Sequence, residues 1–385
     1  MASGYTIRTR GELDSEAMKP GNASTIFELQ GRAASASRWT TGHLVPFRLI
    51  ALPMKQHLPV LWRTHRQNCP SVDRKEVDVL CGRNPDRLTR RLESDLETVP
   101  GGPFWVALAG ALRRAAQQEP EAPQSGRRMN PLRNARPSVV SGQLEYFVPS
   151  GEMRDDDGLD ADESYEYDSY YAHTEDVAVA LATRFLSFVL CRCLNQSGYM
   201  EVRVRIEPQD DGGICAMELQ DKGWQMTFSR VAILEAKRGL GHVARDPATG
   251  EFQPVSTNLL PQCLGEAIIA WKSTPKEERN NDVFLLVIVN TFFRLIHFRF
   301  GSDYLEYLDA PDPRMQLSIA LDQNKDSAVM MESSKWFNLE VPGHRKAAMC
   351  HVLALVRWFR IHSLRDRSAE KTESDSSDVS DTDIS

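Results

Sequence analysis

A chain of 385 residues, 41 % hydrophobic and 26 % charged, carries enough apolar material for one large domain with polar extensions, or for two domains. A formal net charge of −7 excludes a general polyanion binder, so any nucleic-acid surface has to be a local basic patch. Seven scattered cysteines (Cys69, Cys81, Cys191, Cys193, Cys215, Cys263 and Cys350), an odd number with no C-x-x-C pair, speak against a closed disulfide framework.

The N-terminus, MASGYTIRTRGELDSEAMKP, lacks an apolar stretch of signal-peptide length. No apolar run approaches the roughly 18 residues of a membrane span, and the most apolar one, VFLLVIVNTFF, is interrupted by Asn290. The expectation is an intracellular protein, cytoplasmic or nuclear, that does not enter a membrane.

Residues 1–170 read as a largely irregular extension, poorly ordered or partly helical. Within it, 74–97 and 104–118 (FWVALAGALRRAAQQ) have helical spacing and good helix formers. Residues 119–141 form a basic, Pro- and Arg-bearing linker, and 151–171 (GEMRDDDGLDADESYEYDSYY) an acidic one.

A domain spanning 171–363 follows. Thr174 is a candidate N-cap, and Val177, Leu181, Phe185, Phe188 and Val189 give 175–194 an amphipathic helical spacing. YMEVRVRIE (199–207) alternates apolar and charged residues as a half-buried strand does. QDDGG (209–213) has turn chemistry. ICAMELQ (214–220) is a second strand, DKGW (221–224) a turn, and VAILEAK (231–237) a third strand. A helix over 257–272 is predicted from Leu260, Leu264, Ala267, Ile268 and Trp271. VFLLVIVN (283–290) and FFRLIHFRF (292–300) read as strands, the first apolar enough for a central position. MQLSIALD (315–322) is a candidate strand, and HRKAAMCHVLALVRWFRIH (344–362) is a long apolar-faced helix. Residues 364–385 form an acidic, serine-rich tail read as disordered.

The third strand ends in an acid and a base two residues apart, Glu235 and Lys237, which share a face on a strand. Phosphodiester hydrolysis needs such groups. Carboxylates hold Mg²⁺, which prefers oxygen ligands, and a cation stabilises charge developing on the phosphoryl oxygens. A second carboxylate has to come from the preceding strand. Asp210 and Asp211 are the natural suppliers, beside Gly212 and Gly213, which leave room for close approach; Asp221, in the turn at the far end, is the rival. The bland alternatives are a solvated strand-end ion pair for Glu235 and Lys237, and a plain turn for Asp-Asp-Gly-Gly.

This arrangement, an apolar strand ending in Glu-x-Lys with an Asp before it and a helix after it, resembles the PD-(D/E)XK nuclease-like superfamily. DDGGIC, RVAILEAKRG, PQCLGEAIIAW and GHRKAAMCHVLALVRW are similar to segments of fungal proteins of that superfamily, over residues 174–362. The resemblance implies a mixed α/β, restriction-endonuclease-like core, with a central mixed sheet flanked by helices. It further implies metal ligation (Mg²⁺ or Mn²⁺) by Asp211 and Glu235, and a Lys237 that assists the attacking water. Gln262 on the following helix and Glu175 on the first helix match further site positions. One departure stands out: no proline precedes Asp211, and Pro208 lies three residues earlier. The function implied is Mg²⁺-dependent hydrolysis of nucleic acid. The alternative is a catalytically inactive module on the same fold that binds protein or nucleic acid, with the tails as a protein-binding element.

Overall fold

The computed structural model describes residues 5–29, 35–62, 64, 73–117, 164–194, 200–207, 210–221, 223–237, 243–245, 252–254, 259–276 and 279–374. Of these, 114–117, 164–175, 200–201, 206–207, 210–211, 227–229, 243–245, 252–254 and 363–374 are described by their backbone alone. The basic and acidic linkers, apart from the end of the latter, and the last eleven residues lie outside the described set.

The strands in chain order are β1 (Leu49–Ala51), β2 (Met200–Glu207), β3 (Asp210–Gln220), β4 (Gly223–Lys237), β5 (Val243–Arg245), β6 (Phe252–Pro254), β7 (Asp282–Val289), β8 (Phe292–Phe300), β9 (Val329–Ser333) and β10 (Phe337–Asn338). Eight of them form one mixed sheet in the order β1-β9-β8-β7-β4-β3-β2, with β10 added against β8; β5 and β6 make a separate hairpin. β4 runs parallel to β7 and antiparallel to β3. The apolar run of β7 has a central place, buried from Phe284 to Leu286 and onward to Val289, as a strand covered on both faces requires.

Strand alternation divides the core in two. Leu234, Ala236, Leu286, Ile288, Phe293 and Leu295 point into one layer. There they meet the helices Gly102–Gln117, Ser164–Phe188 and Pro342–Ser374 through Phe104, Leu181, Phe185, Val352 and Leu355. Ile233, Leu285, Val287, Ile296 and Phe298 point the other way. They pack on the helix Leu259–Ser273, on Tyr304 and Tyr307, and on Trp39, Leu44 and Phe47 from the N-terminal segment. The fold is thus mixed α/β, a sheet flanked by helices on both faces.

Four elements differ from their sequence expectation. MQLSIALD lies in a helix, Pro313–Leu321, because the Asp312 side chain caps it by accepting from the Met315 N–H while Pro313 occupies the first turn. Asp210–Gly213 opens β3 instead of forming a turn. Gly212 is left-handed there (φ +89°), and a Cβ on Gly213 would lie 2.3 Å from the Ala232 carbonyl, so both glycines serve close strand pairing. The region 74–97 is two helices, Arg74–Cys81 and Glu93–Glu97, the first ending at Gly82.

The fourth difference concerns the N-terminal extension. β1 pairs in parallel with β9, Leu49 against Val329 and Ala51 against Met331. Arg10 donates to the carbonyls of Ala320, Asp322 and Lys325, and Arg48, 2 % exposed, reaches Asp14 and the Ser327 carbonyl. Parts of residues 5–29 and 35–62 therefore line one edge of the sheet. Among the described residues no helix is long and apolar enough to cross a membrane.

Candidate functional site

Glu235 and Lys237 lie at the end of β4, and alternation puts them on the face of Ile233, beneath the helix Leu259–Ser273. Glu235 is only 7 % exposed. A buried carboxylate needs partners, and two donors converge on one of its oxygens. Lys237 Nζ lies 2.6 Å from Glu235 Oε1, and Gln262 Nε2 donates to the same atom over 2.6 Å. Gln262 stands in the first turn of its helix, so the positive end of that helix also faces the carboxylate. Strand and helix together fix one anion in one rotamer.

The neighbours of this triangle set its electrostatics. Cys263, next along the helix, is fully buried. Burial raises the pKa of its thiol first, and the Glu235 charge raises it further, so it stays protonated and packs as an apolar group. Arg294 belongs to the same face, in register with Val287, which is itself in register with Glu235. Its guanidinium donates to the Ser334 carbonyl and to Ser333 Oγ and lies over the Trp336 ring, 5.4 Å from the centroid. Burial brings its pKa down to about 10, which leaves it a cation at neutral pH.

The aspartates sort by place along the ribbon. Gly213 pairs with Ile233, so Asp211, two residues before Gly213, lies at the end of β3 that adjoins Glu235, two residues beyond Ile233. Asp210 adjoins it and pairs with Glu207 of β2. Asp221 sits in the β3–β4 turn, and from Gly223 to Glu235 β4 runs roughly 40 Å of strand, which removes Asp221 from the site. The side chains of Asp210 and Asp211 lie outside the described residues. Glu175 is on the helix Ser164–Phe188, whose apolar residues pack on the sheet face opposite Glu235; its side chain too is outside the described set. Among the described residues, no three His, Cys, Asp or Glu side chains gather as a ligand group.

The arginines of the sheet strands do not share one surface. Arg203 and Arg205 lie on the Glu235 face, since Arg205 pairs with Gly213 and Gly213 with Ile233. Arg294 is on that face but packed under Trp336, and Arg299 is on the opposite one. Arg238 and His242 lie outside the described residues.

His297 is a buried core residue, 4 % exposed, stacked on Phe284. Sequence gave no sign of its partners. Its Nε2 is 2.7 Å from Asp282 Oδ1, and its Nδ1 3.6 Å from Glu332 Oε2, too long for a hydrogen bond but close for a charge pair. Burial alone pulls the imidazole pKa down, yet Asp282 and Glu332 outweigh it and the net shift is upward. Three neighbouring strands supply this cluster, which lies on the face away from Glu235 and has no link to it in the described contacts.

Compared with protein-family models, with curated proteins and with solved structures, the chain has no match in any of the three.

Proposed function

We propose that the β3–β4 strand ends form a divalent-metal site for phosphodiester hydrolysis in nucleic acid, on a restriction-endonuclease-like core of the PD-(D/E)XK kind. The observation that carries this reading is the convergence of Lys237 and Gln262 on one oxygen of the buried Glu235. The Lys follows from the Glu-x-Lys spacing, whereas the Gln comes from a separate helix, so a chance tripeptide does not account for the contact.

The donor set fits a hard cation. Glu235 stands at the end of β4 and Asp211 lies at the adjoining end of β3, and carboxylates are oxygen donors of the kind that Mg²⁺ prefers. When bound, Mg²⁺ or Mn²⁺ would supply charge neutralisation at the phosphate and a more acidic water. Of the chain's own residues, Asp211 and Glu235 would hold the ion. Lys237 holds its ammonium beside the ligand oxygen, where it orients a water or donates to a phosphoryl oxygen as negative charge grows there. Gln262 keeps the Glu235 carboxylate from rotating away, and is a positioning residue. Glu175 is a candidate further ligand.

The test is calorimetric titration of the full chain with Mg²⁺ and with Mn²⁺, beside Asp211→Ala and Glu235→Ala, followed by cleavage assays on DNA and RNA. Saturable binding lost in both variants, with metal-dependent cleavage lost in Lys237→Ala as well, is the expected result. A folded wild-type chain that takes up neither metal would overturn it. The second reading, a non-catalytic module on the same fold, would then stand, because Lys237 and Gln262 already stabilise a buried carboxylate without a metal.

A further inference from the structure

We propose that His297 is a protonation latch that holds the β9 edge, and through it the N-terminal segment, against the centre of the sheet. The latch lies on the sheet face away from Glu235 and owes nothing to a metal there. β9 stands between two partners. Along one edge it pairs with β8, where His297 is directly opposite Glu332. Along the other it pairs in parallel with β1, and the pairing runs on past the strand end. Leu52 N–H donates to the Met331 carbonyl, Lys55 N–H to the Ser333 carbonyl, and Lys335 N–H to the Lys55 carbonyl. Whatever holds Glu332 therefore also bears on residues 49–55.

The groups around the imidazole are unevenly placed. Asp282 from β7 meets Nε2 at 2.7 Å, while Glu332 from β9 stands 3.6 Å from Nδ1. Nδ1 itself is enclosed and has no hydrogen-bond partner among the described residues. Two cations border the cluster. Arg299 is opposite Asp282 on β8, with its guanidinium at the Met330 sulfur, and Lys55 acts on Glu332 from the N-terminal segment. From the last helix, Pro342–Ser374, Trp358 packs edge-on against Phe284, the ring on which His297 stacks, and His362 stacks on Trp358.

The two protonation states treat the two carboxylates differently. The imidazolium donates from Nε2 to Asp282 and sets its positive charge beside Glu332. The neutral ring keeps the Nε2–H bond to Asp282 and turns a bare Nδ1 lone pair towards Glu332. An attractive contact becomes a repulsive one, and only on the β9 side. The Glu332 side chain is 21 % exposed, so its carboxylate then has water to turn to. Burial pulls the His297 pKa down, the two carboxylates outweigh it, and the net shift is upward. The fastened state is therefore complete below the unfolded value near 6.5 and is lost as pH rises through the higher folded value. On the opposite face Arg294 grips the same run through Ser333 Oγ and the Ser334 carbonyl. Release of Glu332 thus loosens this edge without detaching it.

The experiment is hydrogen exchange of the full chain, read by mass spectrometry at about pH 6 and about pH 8.5 and corrected for the intrinsic dependence of exchange on pH. In the wild type, peptides over 49–55 and 329–335 should lose about tenfold in protection at the higher pH, the scale of one lost charged contact. Peptides of β4 and β7 should keep theirs. Glu332→Gln offers the neutral ring an amide donor in place of a carboxylate, so the edge should stay protected at both pH values. His297→Phe keeps the stack on Phe284 and should leave the edge weakly protected at both. His362→Asn should respond to pH as the wild type does. Glu332→Gln, isosteric and partly exposed, decides the matter even where His297→Phe unfolds. The latch would be overturned by edge protection that ignores pH in the wild type, or by an equal fall across β4 and β7. It would equally be overturned by a pH response that survives in Glu332→Gln or in folded His297→Phe, or that disappears in His362→Asn.

Discussion

The Glu235–Lys237 pair gives the sharpest test of the physical account of the site. At 2.6 Å, in surroundings with an effective dielectric near 20, two unit charges attract by about 6 kcal/mol, an upper bound before desolvation is counted. The Glu235 side chain is 9 % exposed and that of Lys237 27 %, so desolvation falls mainly on the carboxylate. Lys237→Met keeps the aliphatic stem but leaves Glu235 buried with Gln262 as its one remaining partner in the triangle. Loss of one partner of a fully buried pair costs about 3–5 kcal/mol, and the partial exposure of Lys237 reduces the expectation to about 2–3 kcal/mol. Glu235→Gln removes the charge while keeping shape, and Lys237 can turn to water, so about 1–2 kcal/mol is expected. The double variant should cost less than the two singles together, with a coupling of about 1–2 kcal/mol. Urea denaturation of the four proteins at pH 7 measures the cycle. A coupling below about 0.5 kcal/mol would mean that the pair is a solvated strand end, and the account of a preformed anion would be refuted.

Two further outcomes follow from other buried charges. His297 has a raised pKa in the folded protein, so its contribution to stability is complete below its unfolded value near 6.5 and is lost as pH rises through the higher folded value. His297→Phe, which preserves the stack on Phe284, should cost about 2–3 kcal/mol at pH 6 and clearly less at pH 9 by chemical denaturation, and a pH-independent cost would contradict the charge pair with Asp282 and Glu332. Arg345, fully buried, donates to the carbonyls of Leu80, Gly82, Leu339 and Glu340 and to Asn84 Oδ1, and thereby ties the helix Arg74–Cys81 to the start of the last helix. Arg345→Met should destabilise the chain by about 3–5 kcal/mol and expose residues 74–84 to hydrogen exchange, and normal protection there would show that this region does not depend on the arginine.

By itself, the sequence determined the elements whose periodicity is strong and whose pairing is local. The alternation of YMEVRVRIE, the apolar runs of β4, β7 and β8, and the helices Leu259–Ser273 and Pro342–Ser374 were all legible, because burying one face imposes a period of 2 or 3.6 on the residues. So was the juxtaposition of Glu235 and Lys237, since a spacing of two on a strand places both on one face. Other features belonged to tertiary structure. LIA of β1 has only three residues and finds its partner, β9, some 280 positions away, a contact with no local signature. MQLSIALD satisfied either period, and the Asp312 cap decided for helix. The Gln262–Glu235 bond spans 27 residues and exists because the helix crosses the sheet at the end of β4. Likewise, YMEVRVRIE and FFRLIHFRF both carry two arginines, and only strand pairing puts Arg299 on the face opposite Arg203, Arg205 and Arg294. Composition and spacing specify which groups a strand or helix offers to each side. Which groups from distant segments meet depends on strand order and helix placement, which are settled only when the whole core is buried.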